Sequence, residues 1–175
     1  MHRTRETQGE SAGFTLTDGV LVFSVVSILL SALVPGLSRT TASERDQERL
    51  KHMETISDAL EAYRADMEHY PAARPEPWLG GWEASHSTSF LNRLVETGYL
   101  PEVLADPLND DAHHYRYVVH QDGNYGCTGE REFFVLGFTA FETRPMLPAE
   151  ERDFDCPDRN FSDELAFSTS RFGTH

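Results

Sequence analysis

Two clusters of oxygen-rich side chains invite a metal. Asp153, Asp155, Asp158, Asn160 and Asp163 place five of them within eleven residues. That density suits calcium, which takes roughly six to eight oxygen ligands. The second cluster is Asp106, Asn109, Asp110, Asp111, His113 and His114. Adjacent histidines seldom share one zinc ion without a stronger frame, and neither stretch is an EF-hand loop. Solvated acidic turns are the ordinary reading of both, with calcium at Asp153, Asp155, Asp158 and Asp163 as the metal alternative. No nucleophile elbow or phosphate loop is present. Eight histidines occur, but none pairs with a Ser or Cys at a recognisable spacing. Catalysis by a membrane-anchored enzyme is therefore the remote alternative. Cys127 and Cys156 are the only cysteines. An even count in an exported domain points to a disulfide, against which stand two unrelated buried thiols.

The elements that must carry these residues begin with an apolar run. From Gly19 to Ser38 there are 20 positions without a charge, about the length of helix that crosses a ~30 Å hydrocarbon layer. A cleaved secretory signal fits poorly, because residues 1–13 hold two Arg and two Glu where a basic leader is expected. A core helix fits poorly too, because no polar periodicity interrupts the run. A membrane anchor fits best. Its flanking charges place the C-terminal side inside, whereas the cysteine pair favours export of that side. Asp18 stands at the threshold of the run. A carboxylate at the edge of lipid either caps the helix N-terminus or has a partner. Pro35 removes a helical N–H and crowds the carbonyl of Ser31, so a kink or a break is expected there.

The remainder is acidic: 26 Asp and Glu against 13 Lys and Arg on residues 39–175. Such a balance disfavours nucleic acid as a partner. Leu50, Met53, Ile56, Leu60, Tyr63, Met67 and Tyr70 recur at spacings of three and four, one apolar stripe on a continuing helix. Glu48, Glu54, Asp58, Glu61 and Arg64 fall on the wet side, and Pro71 stops the helix after Tyr70. Residues 71–82 read as an irregular connector with Trp78 and Trp82 as core plugs. A short helix is expected over 87–97, capped by Ser87 or Thr88 and ended by Gly98. Tyr115, Tyr117 and Val119 alternate as a strand, Asp122-Gly123-Asn124 is a turn, and Phe133 to Phe141 is a second strand. A long helix followed by antiparallel strands is an α+β order.

Gly13-Phe14-Thr15-Leu16-Thr17-Asp18, with the apolar run and Pro35 behind it, resembles the class III signal of type IV pilins and type II secretion pseudopilins. Tyr70-Pro71, Tyr99-Leu100-Pro101, Asp106-Pro107-Leu108-Asn109 and Tyr115-Arg116-Tyr117 are similar to the pseudopilin pattern ahead of its sheet. The resemblance implies a leader, 1–13, cut between Gly13 and Phe14 by prepilin peptidase, and methylation of the new amine on Phe14. It implies a transmembrane and assembly helix over 14–37, its amphipathic continuation over 38–70, and a pilin-like head over 71–175 with a small antiparallel sheet. In the family a carboxylate at the fifth mature position pairs with the N-terminal amine of a neighbouring subunit. Asp18 holds that position, one methylene shorter than the usual Glu. Pro35 falls where resembling pilins loosen the helix in filaments. Cys127 and Cys156 match the type IV pilin disulfide that closes a C-terminal loop, and major pseudopilins hold calcium in a C-terminal loop, of which no clean copy is present.

The implied protein is a non-enzymatic subunit of a periplasmic or cell-surface filament, single-pass in the inner membrane with its head in the periplasm. Its partners would be further copies, related pilin-like subunits, prepilin peptidase and an inner-membrane assembly platform. A pseudopilin of type II secretion is the first expectation. A type IV pilin, major or minor, in adhesion, motility or DNA uptake is the alternative.

Overall fold

The computed structural model describes residues 16–75, 77–129, 131–143 and 154–172, and within 16–40 the side chains of Val20, Phe23 and Ser24 alone. The chain divides into two units, Met1–Thr40 and Thr41–His175. Its elements are a helix α1 (Leu16–Met67), a two-residue strand β1 (Glu83–Ala84), a short helix α2 (Asn92–Glu96), and strands β2 (Tyr115–His120), β3 (Phe133–Phe138) and β4 (Phe167–Phe172). The strands form one antiparallel sheet in the order β1-β2-β3-β4. One long helix with a small antiparallel sheet is the expected α+β architecture. The helix runs unbroken across Pro35, where a kink or a break was expected. Among the described residues no helix is long and apolar enough to cross a membrane. Most side chains of the expected anchor over 14–37 lie outside the described ones.

Within the second unit the sheet is a shared wall. Met53, Ile56, Leu60 and Tyr63 of α1 are buried and pack with Tyr115 and Tyr117 of β2 and with Phe134, Leu136 and Phe138 of β3. The alternate residues of β3, Phe133 and Val135, face a second cluster of Trp82, Phe161, Leu165 and the two cysteines. Successive side chains on a strand point to opposite faces, so every residue of β3 is buried. That accounts for its nearly continuous apolar sequence, FFVLGF.

Several expectations need correction. The helix ends at Met67 rather than Tyr70: Glu68 turns into the left-handed region at φ 64°, its N–H still bonded to the Arg64 carbonyl at 2.8 Å. Pro71 offers no N–H to the Met67 carbonyl four residues before it and its ring crowds that carbonyl, so the helix cannot continue through it. Tyr70 turns inward, its hydroxyl donating to Glu61 at 2.5 Å and its ring meeting Phe134 edge-on. Met67 is 40% exposed and leaves the stripe, whereas Arg64 is buried with its guanidinium over the Tyr70 ring. Trp82 is a core plug, but Trp78 is 73% exposed. The helix expected over 87–97 is only α2, with neither Ser87 nor Thr88 as its cap. Leu91 takes the N-cap position in the left-handed region. Gly98 does end it, at φ 83°. The second strand stops at Phe138, and β1 and β4 are additional.

Gly137 faces a close approach. A Cβ there would lie 2.2 Å from the Phe167 carbonyl oxygen and 2.7 Å from Leu165 Cδ1. Gly137→Ala is therefore expected to destabilise the head by about 2 kcal/mol or more, measured as a lower urea midpoint. An unchanged midpoint would mean that β4 is not seated as described.

Candidate functional site

Asp106, from the second of the oxygen-rich clusters, belongs instead to a buried centre around Arg49. The α1 stripe runs backward from Tyr63 through Leu60, Ile56 and Met53 to Arg49 and Asp46, at alternating spacings of three and four. Helical geometry thus turns Arg49 and Asp46 to the covered side. Arg49 has no exposed surface. A guanidinium so placed must be fully paired, since an isolated buried charge costs many kcal/mol. Its Nε and Nη2 donate to the two carboxylate oxygens of Asp106 at 2.7 and 2.9 Å, a bidentate fork. Its Nη1 donates to Asp46 at 2.7 Å and to Glu142 at 2.9 Å.

Each acid is held in turn by backbone. Asp106 accepts the N–H of Leu108 at 2.9 Å across Pro107. Asp46 accepts the N–H groups of Glu142 and Thr143 at 3.0 and 2.8 Å. Arg45 donates through Nε to Glu142 at 2.7 Å. The hydrogen bond from Arg45, reinforced by Arg49 and opposed by burial, draws the Glu142 carboxyl down to about 2. Burial by itself would raise the Asp46 carboxyl, but the Thr143 hydroxyl and the two N–H groups outweigh it and hold it low. One side chain of α1 thereby ties the helix to the loop ahead of β2 and to the chain that leaves β3.

The second assembly is the corner around Cys127 and Cys156, which are joined by a disulfide with their Cα atoms 5.2 Å apart. The bond spans a sequence separation of 29, and closing such a loop stabilises a fold by about 3.5 kcal/mol in the chain-entropy model. Beside it Arg159 forks onto Glu164 at 2.8 and 2.9 Å and lies over the rings of Phe161, Tyr125 and Trp82. The Trp82 indole N–H donates to the same carboxylate at 2.8 Å.

Among the described residues the candidate metal side chains are engaged with near neighbours. Asp155 accepts both the N–H and the hydroxyl of Ser162 at 2.8 Å, Asp163 meets Asn160 at 3.4 Å, and Asp153 lies outside the described residues. In the other cluster Asp106 is buried rather than solvated, and Asp110 accepts from its own turn at Ala112 and His113. His114 receives Arg116 at 3.1 Å. Among the described residues no three His, Cys, Asp or Glu converge as metal ligands. No described hydrogen bond joins a Ser or Cys side chain to a histidine ring. Gly13 and Phe14 lie outside the described residues. Asp18 and Pro35 fall within α1, their side chains outside the described ones.

Two curated proteins are similar to this chain. Type II secretion system core protein G of Escherichia coli (strain K12) is 27% identical over 119 residues, 66% of this chain and 75% of the relative. The protein of the same name from Vibrio cholerae is 25% identical over 128 residues, 73% of this chain and 81% of its own. No family model matches, and no solved structure matches.

Arg49→Ala strands three carboxylates around a hole and is expected to cost about 3–5 kcal/mol, read from chemical unfolding of the head. Arg49→Lys recovers less than half of that, because an ammonium cannot make the fork onto Asp106. A second expectation concerns acid. Glu142 titrates at about 2 when folded against 4.5 ordinarily, so the unfolded chain binds the extra proton between those values. Its stabilisation is present above 4.5 and is lost as pH falls toward 2. Melting temperatures across that window should fall less steeply for Glu142→Gln. Equal slopes would remove Glu142 from the acid response.

Proposed function

We propose that this chain, a member of the pilin and pseudopilin family, is a non-enzymatic structural subunit of a type II secretion system. The likeness to two proteins named as its core component G carries the reading. The architecture agrees with it. A subunit loaded through its helix needs that helix fixed to its head, and the Arg49 centre does this from the covered face of α1. In the first unit Val20 and Phe23 are 59% and 75% exposed. Large apolar side chains turned outward on one helix suit lipid before assembly and neighbouring helices after it.

The finer steps belong to the same proposal. Prepilin peptidase cuts after Gly13, the amine of Phe14 is methylated, and the helix over 14–37 holds the subunit in the inner membrane with its head in the periplasm. On assembly the Asp18 carboxylate meets the Phe14 amine of a neighbour. A charge pair in low dielectric is stronger than in water, and leaving one member alone is costly. The pair therefore favours a single axial register. The disulfide supports a second reading, a type IV pilin, because such pilins close a C-terminal loop in this way.

Asp18→Ala is expected to leave membrane insertion and head stability unchanged while lowering filament incorporation at least about tenfold, the equivalent of 1.4 kcal/mol. Asp18→Glu should assemble as well as the parent or better. If Asp18→Asn assembles like the parent, the residue is a helix cap and the pairing is wrong. Gly13→Val should leave the leader attached. Mature-length protein from that variant would count against the processing step.

A further inference from the structure

The corner beside the disulfide carries a motif that the proposed function leaves unaccounted for. Of the four asparagines in the chain, only Asn160 is followed two residues later by a hydroxyl residue, in Asp158-Arg159-Asn160-Phe161-Ser162. Asn-x-Ser with x other than proline is the acceptor pattern for N-linked glycans and belongs on the surface of an exported protein. Here it also has a carboxylate two residues before the asparagine and no proline at either intervening position. The extra acid offers a transferase a charged handle in addition to the Ser162 hydroxyl. The fold agrees with the pattern. Asn160 is exposed, its backbone is extended at φ −90° and ψ 101°, and its carboxamide makes one long contact, 3.4 Å to Asp163. The Cys127–Cys156 bond is an independent mark of an oxidising compartment, the side of the membrane on which such transfer occurs.

We propose that Asn160 is an N-glycosylation acceptor, its donor a lipid-diphosphate-linked oligosaccharide. In the transfer Asn160 Nδ2 forms a bond to the anomeric carbon of the first sugar. The bond from that carbon to the diphosphate oxygen breaks, the lipid diphosphate leaves with the electron pair, and one Nδ2 proton passes to a base of the transferase. The folded corner also fixes the timing. Phe161 has no exposed surface, and both the N–H and the hydroxyl of Ser162 are held by Asp155 at 2.8 Å. A transferase that grips the stretch from Asp158 to Ser162 needs those groups free. The transfer therefore precedes closure of the corner by the disulfide and by the Arg159–Glu164 fork, and the folded head then carries the glycan outward.

The test expresses the full chain in a bacterium that carries a periplasmic oligosaccharyltransferase with an acid requirement at that position, together with its lipid-linked oligosaccharide of known mass. Intact-mass and peptide mass spectrometry are the readouts. One glycan is expected on the peptide that contains Asn160. It is absent from Asn160→Gln and Ser162→Ala, retained in Ser162→Thr, and reduced at least tenfold in Asp158→Ala. Cys127→Ser, which delays closure of the corner, should raise the occupied fraction. A disulfide-bonded but unmodified chain, with Cys127→Ser unmodified as well, overturns the proposal and leaves export intact. Free thiols without a glycan overturn both the acceptor and the export on which it rests. A glycan that survives Asn160→Gln also overturns the assignment.

Discussion

A guanidinium without solvent has to find its partners inside the protein, and most of the head is arranged so that Arg49 does. The cation sits on the same helical stripe as Met53, Ile56 and Leu60, so the packing that buries those residues buries Arg49 with them. Water is replaced by two oxygens of Asp106, one of Asp46 and one of Glu142. These acids need fixed positions. The Asp106-Pro107-Leu108 turn, the N–H groups at 142 and 143 and the strand that delivers them supply those positions. The gain is geometric more than energetic. A well-packed apolar replacement is often as stable as a buried ion pair, but grease does not select one rotation and one height of α1 against the sheet, whereas a forked pair does.

The sheet works under a related constraint. β3 is buried on both faces because α1 covers one and the Trp82–Phe161 cluster covers the other. The second cluster is small, and the cross-link between Cys127 and Cys156 together with the Arg159–Glu164 fork closes it. Surface-to-volume scaling explains the need, since a domain of this size gains little from a second core of a few side chains.

How legible all this was in the chain depended on range. The helical stripe from Met53 to Tyr63, the alternation of β2, the turn at Asp122-Gly123-Asn124 and the helix end at Gly98 are local patterns, and each stands where spacing placed it. The paired cysteines were open between two readings, and the structure chose the disulfide. Arg49 was missed although its signal was local. It lies four residues before Met53 and seven before Ile56, an arginine on the apolar stripe, yet a cation beside an apolar run reads most simply as a flanking charge. Trp78 and Trp82 show the opposite limit. Both are large and both follow prolines or glycines, and nothing within the connector distinguishes the buried one from the exposed one. The choice is made by Glu164, some eighty residues on, which receives the Trp82 N–H. β4 was invisible for a similar reason: FSTSRF has half-polar alternation at best, and its pairing comes from β3. Asp106 was read as one of six polar residues in a turn, because its partner lies 57 residues away.

That separation has a bearing on how the head folds. A chain that emerges from its N-terminal end presents Arg49 early. Its partner at Asp106 follows 57 residues later, and the one at Glu142 follows 93 residues later. Until then the cation stays in water and the lower part of α1 has only local contacts. Long-range closures of this kind are slow steps. A chain cut short before Glu142 never completes the centre and keeps Arg45 without the acid it needs. Closure around Arg49 thus doubles as a check on completeness, since an unfinished head keeps an open, loosely held helix that proteases can reach.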